Sequence, residues 1–508
     1  MGCQVKHVSS LRNIGLAIHS QFDESGLMLP GVTADRLAVL LGRRDPGVPA
    51  YRWLSEGLRL LIADGRIPSG HGLPSERLLT AALGVSRTTV TRAYGLLTET
   101  GYLSARRGSG HVATLPLGAQ RLGVGGALLP GEGADPDAID LTCAASRAPV
   151  GTAEAYATAL DALPNYLAGT GYATAGLPAL RELIAARYAE RGLPTTADQI
   201  MVVGGALAGV SLAVRALTRP GDRVVVENPS YPNSTDAARR AGTRLVALPV
   251  EPDGWDARLC AATIGAASAA AAQFVLDFHN PTGALMADAD RERLAHALRR
   301  ASTIAIVDET MLEVRLDDAP APLPFAAHLP RSVLVGSASK SHWGGLRTGW
   351  LRVPRPLLPR LLQARIADDL GAPLLEQLVV VELLARGHGL HPERREELLA
   401  ARAAMLAALP AAIPGARWVV PAGGLSLWVE LPGPRAQQLT AAARAEGLLL
   451  SPGTQFAVDH GLERFVRLPY KDPPEVVTEA MRRLATAWRA QESAGPALIA
   501  NPPRPVVA

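Results

Sequence analysis

Apolar positions recur at helical spacing early in the chain. Between Trp53 and Asp64, Leu54, Leu58, Leu61 and Ile62 fall on one face, and Gly65 ends the run. Leu73-Pro74-Ser75-Glu76-Arg77 opens a second helix, with Ser75 as N-cap and Leu78, Leu79, Ala82 and Leu83 on its core side. Gly84-Val85 forms a tight turn. Ser86 then caps a third helix that starts at Arg87 and continues through Leu96 and Leu97. Its first residues, Arg87-Thr88-Thr89, are short, polar or cationic, as the end of a helix must be to approach base edges and phosphates. A strand begins at Gly101-Tyr102-Leu103, and Arg106-Arg107-Gly108-Ser109-Gly110 reads as a basic hairpin. A helix-turn-helix followed by such a hairpin is a winged helix, although any one of these helix pairs taken alone is also an ordinary α-hairpin.

From Tyr172 the pattern changes. Short apolar strands at 200–203, 223–227, 244–248, 273–277, 303–307 and 332–335 alternate with helical runs. This alternation predicts a three-layer α/β domain with a mostly parallel sheet, and polar motifs follow several strands directly, where such sheets bind ligands. Between the two regions, residues 113–138 hold no period and read as a linker, able to span roughly 80 Å if fully stretched. The expected division is an N-terminal extension over 1–50, partly disordered; a winged helix over 51–112; the linker; an α/β body with a smaller α+β subdomain over 139–490; and a disordered tail over 491–508. Residues 1–30 read either as an arm or as sequence upstream of a start at Met28.

Charge sharpens the first part of this picture. The net charge is +4, and between Tyr51 and His111 eight arginines face four acids, a local excess as large as that of the whole chain. A basic excess confined to the helix-turn-helix segment suits a polyanion such as double-stranded DNA. Cys3, Cys143 and Cys260 have neither disulfide nor metal-ligand spacing, which points to a reducing cytoplasm and no metal site. The apolar stretch 266–275 is far short of the roughly 18 residues of a membrane span.

Lysine is nearly absent. Of 51 basic residues only Lys6, Lys340 and Lys471 are lysines. Lys340 sits in Gly336-Ser337-Ala338-Ser339-Lys340, ahead of Gly344-Gly345-Leu346-Arg347. A chain that writes its positive charge as arginine and keeps one lysine in a Ser/Gly turn has a use for an amine, because a lysine can attack a carbonyl and an arginine cannot. A solvated surface lysine is the alternative.

Two resemblances bear on these readings. Leu-Pro-Ser-Glu-Arg at 73–77, Gly-Val-Ser-Arg-Thr-Thr-Val at 84–90, Gly-Tyr-Leu at 101–103 and Arg-Arg-Gly-Ser-Gly at 106–110 resemble the GntR family of bacterial regulators. That resemblance implies DNA contacts from Arg77, Ser86, Arg87, Thr88, Thr89 and Arg92, and from Arg106, Arg107, Gly108 and Gly110 of the wing. The later motifs, in order, resemble the fold-type I, aspartate aminotransferase-like enzymes that use pyridoxal 5'-phosphate. Gly205-Ala206-Leu207 matches the phosphate turn, Tyr231 the residue stacked on the cofactor ring, and Asn280 the ligand of its phenolic oxygen. Asp308 matches the partner of the pyridine nitrogen and Lys340 the Schiff-base lysine. Ser337, Ser339 and Arg347 match phosphate ligands, and Tyr172 a tyrosine that reaches the phosphate of the other subunit. Arg467 matches the clamp for a substrate carboxylate. Each turn alone is more often structural than catalytic; the ordered set is what points to a cofactor. Two departures weigh against efficient turnover: Met311 stands where the family carries a tyrosine, and Leu207 where a polar residue is usual.

The combination resembles the MocR subfamily of regulators. It implies a homodimer built on the aminotransferase fold, with the head of one chain near the body of the other, in which pyridoxal phosphate or an amino compound acts as the signal. Two other readings remain at this stage: a working aminotransferase with an autoregulatory DNA-binding head, and a cofactor-free dimerisation scaffold.

Overall fold

The computed structural model describes residues 31–493, except 45, 65, 68–69, 107–109, 115, 117–136, 146, 319–320 and 388, together with the short strand pair Gln21–Phe22 and Met28–Leu29. Gly65, most of the expected linker, Arg107, Gly108 and the tail from 494 therefore lie outside the described residues, as does the side chain of Arg106.

The head is a winged helix. Helices Ala50–Ala63, Glu76–Leu83 and Arg87–Glu99 are followed by the antiparallel strands Leu103–Arg106 and Gly110–Ala113. The expected caps form: Ser75 accepts from the Leu78 amide, Ser86 from the Thr89 amide, and Gly84 ends the second helix in a left-handed conformation at φ 63°. Leu54, Leu58, Ile62, Leu79 and Val90 are fully buried in one core. The head begins earlier than the boundary at residue 51. A further helix, Ala34–Leu41, inserts a fully buried Leu37 into the same core. Its stripe of Leu37, Leu40 and Leu41 is only one turn long, too short to stand out as a period.

The body is built on a seven-stranded sheet. Its strands are β1 (Ile200–Val203), β2 (Arg223–Asn228), β3 (Arg244–Pro249), β4 (Ala271–Phe274), β5 (Ile304–Asp308), β6 (Ser332–Ser337) and β7 (Gly349–Arg352), in the order β1-β7-β6-β5-β4-β2-β3. All neighbours run parallel except β7, which is antiparallel to both β6 and β1. Two separate apolar clusters pack on the sheet, completing three layers. The six anticipated strands are present; β7, which lies just beyond the lysine motif, is an addition. The strand expected over 273–277 lies at 271–274 instead. The Val275 amide donates to the Glu227 carboxylate at 2.7 Å rather than to a neighbouring strand, and the chain leaves the ladder there.

A smaller α+β unit follows. The antiparallel strands Arg417–Trp418, Ser426–Glu430, Phe465–Pro469 and Ser451–Pro452 pack with helices Pro392–Ala412, Ala436–Ala445 and Pro474–Ser493 around a second core.

The head contacts the body of its own chain. Arg66 donates to Glu251 at 2.6 and 2.9 Å, and Arg36 lies 3.8 Å from the same carboxylate. At Gly461 a Cβ would fall 1.7 Å from the Ala63 carbonyl oxygen, so only glycine admits the end of helix Ala50–Ala63 against the body. Asp64, the C-cap of that helix, is buried in this contact at 3% exposure.

Candidate cofactor site and DNA-binding head

The carboxyl ends of the parallel strands converge on one cavity of about 390 Å³. β1 delivers the Gly204-Gly205 turn, β2 leads to Tyr231, β4 to Asn280, β5 ends on Asp308, and β6 runs into Ser337-Ala338-Ser339-Lys340. Arg467 arrives from the smaller unit, on strand Phe465–Pro469. Lys340, Asp308, Asn280, Tyr231, Ala206, Leu207, Ser337, Ser339, Arg347 and Arg467 all line this cavity, and Gly205 caps the helix that borders it.

At the turn, Gly205 has φ 103° and no side chain caps helix Ala206–Leu217, so its first backbone N–H groups have no side-chain partner. Arg347 donates to the Gly204 carbonyl at 3.0 Å, and a Cβ on Gly205 would lie 2.6 Å from its guanidinium. Gly349 is constrained from the other side: a Cβ there would meet the Gly205 carbonyl carbon at 2.7 Å and the Ala206 nitrogen at 2.8 Å. The Ser337 hydroxyl accepts from the Ser339 amide at 3.0 Å, which folds the serine turn over the same corner. Uncapped N–H groups, two hydroxyls and a guanidinium form a corner whose chemistry suits a phosphate dianion.

Deeper in, Asp308 Oδ1 accepts from both the Thr310 amide, at 2.8 Å, and the Thr310 hydroxyl. Burial raises the Asp308 pKa above the ordinary aspartate value, while Thr310 and then Lys340 pull it down. The Lys340 amine donates to the Ala144 carbonyl at 2.7 Å. Burial foremost lowers its pKa below the ordinary lysine value; Arg467 and Arg347 act in the same direction, and Cys143 and Asp308 oppose them. A lysine so placed carries more of its neutral, nucleophilic form.

Arg467, at 2% exposure, is held by Asn280 Oδ1 at 3.2 Å and by the Thr142 carbonyl, and its guanidinium lies 4.8 Å from the centre of the Phe456 ring. Its Nε has no protein partner, and burial lowers its pKa to about 10. A buried cation that lines the cavity and keeps one N–H without a protein partner suits a ligand carboxylate.

Met311 lines the cavity, buried at the position where the resemblance places a phenol. Tyr172 does not reach the cavity; it is 69% exposed. Thr142, Cys143, Ala144 and Thr310 belong to the site and were not foreseen. The first three come from an irregular segment beside Ile139–Asp140 and carry no motif. Thr310 had a readable signal, a hydroxyl two residues beyond a strand-ending aspartate, where it can close a turn onto the carboxylate.

On the head, Arg77, Ser86, Arg87, Thr88 and Arg92 are exposed and Thr89 is half-buried. Glu76 ties the two helices of the motif together, accepting from Arg87 at 3.4 Å and from Thr91 at 2.9 Å. Arg92 stacks over Tyr51 at 3.7 Å from the ring centre. Gly110 opens the second wing strand at φ 80°.

Comparison with known proteins agrees with both halves. Residues 50–112 match the bacterial regulatory proteins of the gntR family, and residues 160–484 match aminotransferase class I and II. The probable rhizopine catabolism regulatory protein MocR of Rhizobium meliloti is 30% identical over 72% of this chain and 78% of its own length. The uncharacterized HTH-type transcriptional regulator YdfD of Bacillus subtilis is 27% identical over 83% of this chain and 92% of its own. Among solved structures, the α-aminoadipate aminotransferase LysN of Thermus thermophilus, complexed with N-(5'-phosphopyridoxyl)-L-leucine, superposes with a TM-score of 0.63 at 26% identity, covering 70% of this chain and 93% of that one. The chain belongs to the MocR subfamily of GntR-type transcriptional regulators, a winged helix-turn-helix head on an aminotransferase-like body whose cofactor is pyridoxal phosphate.

Proposed function

We propose that this regulator is a cytoplasmic homodimer that reads pyridoxal phosphate, or an amino compound reacting with it, and converts that signal into altered DNA binding. The observation that carries the reading is the convergence of Lys340, Asp308 and Arg467 on one cavity whose corner suits a phosphate. The residues fit the cofactor. Gly205, Ala206, Leu207, Ser337, Ser339 and Arg347 would hold its phosphate, Asp308 its pyridine nitrogen, Asn280 its phenolic oxygen and Tyr231 its ring face. The bound group supplies a carbonyl carbon to which Lys340 attaches covalently and an electron sink for amines that replace the lysine. Arg467 then selects amines that carry a carboxylate.

Met311 favours sensing over turnover. A thioether cannot replace the phenol that would steady a proton at this end of the cavity, so covalent exchange is retained while proton transfer is poorly directed. Tyr172 fits service to a partner protomer. It stands exposed beside a surface that also presents Leu167, Ile366 and Leu370, and Gly371 approaches the backbone of Ala173 so closely that a Cβ would lie 2.8 Å from its carbonyl oxygen. Apolar exposure of this kind suits burial between two bodies.

The test is the visible absorption of the protein with pyridoxal phosphate, wild type beside Lys340→Ala, followed by DNA binding with and without carboxylate-bearing amines. We expect a visible band in the wild type only, and DNA affinity that responds to an amine in the wild type but not in the variant. Absence of the band from both proteins defeats the sensor. Rapid multiple turnover with DNA affinity indifferent to the amine favours an aminotransferase.

A further inference from the structure

Helix Ala34–Leu41 is fastened to the head at several points. Thr33 caps it, Leu37 is fully buried, and the Val32 amide donates to the Gly72 carbonyl at 3.2 Å. Leu41 packs where a side chain on Gly57 would be: a Cβ there would fall 2.4 Å from the Leu41 methyl, so Gly57 admits the close approach of the two helices. Gly42 ends the helix with φ 66°, in the left-handed region, and turns the chain into Arg43 and Arg44. The two arginines are thus carried by a packed element.

Both are exposed, and both line an open groove of about 430 Å³ whose other wall is Gly84, Ser86 and Thr89, the turn and first residues of the recognition helix. Among the described residues no carboxylate lines that groove and neither arginine is in an ion pair. The rest of the head's arginines are largely engaged: Arg36 and Arg66 with Glu251, Arg59 with Glu56, Arg87 with Glu76, and Arg92 on Tyr51. Asp45 lies outside the described residues.

We propose that Arg43 and Arg44 form a phosphodiester-binding site that grips the DNA backbone beside the base-reading end of the recognition helix. When the first turn of a recognition helix enters the major groove, the flanking strand passes along its side, and phosphate contacts there fix register without reading sequence. Two guanidinium groups just beyond the end of a packed helix can bind such phosphates bidentately. The inference rests on the reading of the head as a DNA-binding module and extends its footprint onto a helix N-terminal to the matched gntR region.

The experiment is a salt series of fluorescence anisotropy titrations of the full-length protein on a random-sequence duplex. We compare wild type, Arg43→Ala/Arg44→Ala, the double lysine variant Arg43→Lys/Arg44→Lys, and Arg87→Ala as a control within the recognition helix. The alanine pair should weaken binding and flatten the plot of log K against log salt by about 2, at about 0.9 per phosphate lost. The lysine pair should keep most of the slope, because it keeps the charge. If the alanine pair matches wild type while Arg87→Ala weakens binding, the inference is overturned and the DNA-binding reading stands. If wild type itself does not bind, the reading fails and the inference with it. Should the alanine pair lose its helical signal, Arg43→Gln/Arg44→Gln replaces it and must show the same loss of slope.

Discussion

Replacing Asp64 by asparagine should remove a pH dependence from the contact between head and body. Asp64 closes helix Ala50–Ala63 at the point where Gly461 meets the head, and the modest pull of Arg464 and Arg66 does not offset its desolvation. Glu463 and Glu430 push the same way as burial, and the carboxyl is raised from the ordinary 3.8 to about 7. An undocked head would expose Asp64 and return it to its ordinary value. A raised acid binds its proton more tightly in the docked state, so docking is strongest below pH 3.8, weakens as pH rises through the window to about 7, and is constant above it. At about 1.36 kcal/mol per pH unit the full effect is about 4 kcal/mol, of which roughly 3 kcal/mol, close to 100-fold in the opening constant, falls between pH 5 and 8. Amide hydrogen exchange in the last turn of helix Ala50–Ala63 and at 461–464, corrected for the intrinsic rate, reads that opening directly. The wild type should open progressively more above pH 5, and Asp64→Asn, uncharged and of equal shape, should stay flat. Parallel profiles for the two proteins would refute the assignment.

Two further outcomes test the pocket. Arg467→Ala should weaken the amine response by about 100-fold in Kd, about 3 kcal/mol for a buried carboxylate clamp, while cofactor loading followed by absorption changes little; equal losses in both would mean that Arg467 holds the site together rather than its ligand. Thr310→Val keeps the side-chain shape but removes the hydroxyl that donates to Asp308, and a hydrogen bond to a charged group is worth about 1.5–3 kcal/mol. Spectral titration should show cofactor affinity about 10-fold weaker or worse, and unchanged affinity would show that the Thr310 amide alone suffices.

Much of this was legible in the chain because the signals are local. Ser75 and Ser86 cap because a short oxygen followed by a helical period can do little else, and Gly84 turns left-handed because only glycine does so without strain. The pocket residues were legible because each sits at the end of a short apolar strand. What escaped depends on contacts distant in sequence. β7 is antiparallel inside a parallel sheet, and nothing within Gly349–Arg352 says that it pairs with both β1 and β6. Thr142 and Ala144 enter the pocket through backbone carbonyls, which no side-chain pattern encodes. Helix Ala34–Leu41 was missed because its stability lies in Leu37 and Gly57, each meaningful only once the two helices are placed together.

The pocket and the dock of the head are built on the same two loops, which gives the proposed sensing a physical route. Phe456, beneath the Arg467 guanidinium, accepts at its carbonyl from the Ser230 amide at 2.8 Å, next to Tyr231 in the cavity. Two residues on, the Val458 amide donates to Asn228 Oδ1 at 3.0 Å, and the same loop continues to Gly461 against Ala63. The Asn228 carbonyl accepts from Val250 at 2.9 Å, and Val250 precedes Glu251, the partner of Arg36 and Arg66. A carboxylate that draws Arg467 away from Thr142 and Asn280 would act on the guanidinium that rests on Phe456, at one end of a loop whose other end lies under the head. Such a ligand biases docking only through its different affinity for the docked and undocked arrangements, and docking alters its affinity by the same factor. Couplings of this kind are typically about 1–3 kcal/mol, comparable to what the Asp64 proton contributes. Effector and proton would then act on one equilibrium, and the amine concentration needed to move the head would fall with rising pH in the wild type if the amine favours release. Asp64→Asn would remove the part of that pH dependence that docking contributes and leave the amine response itself in place.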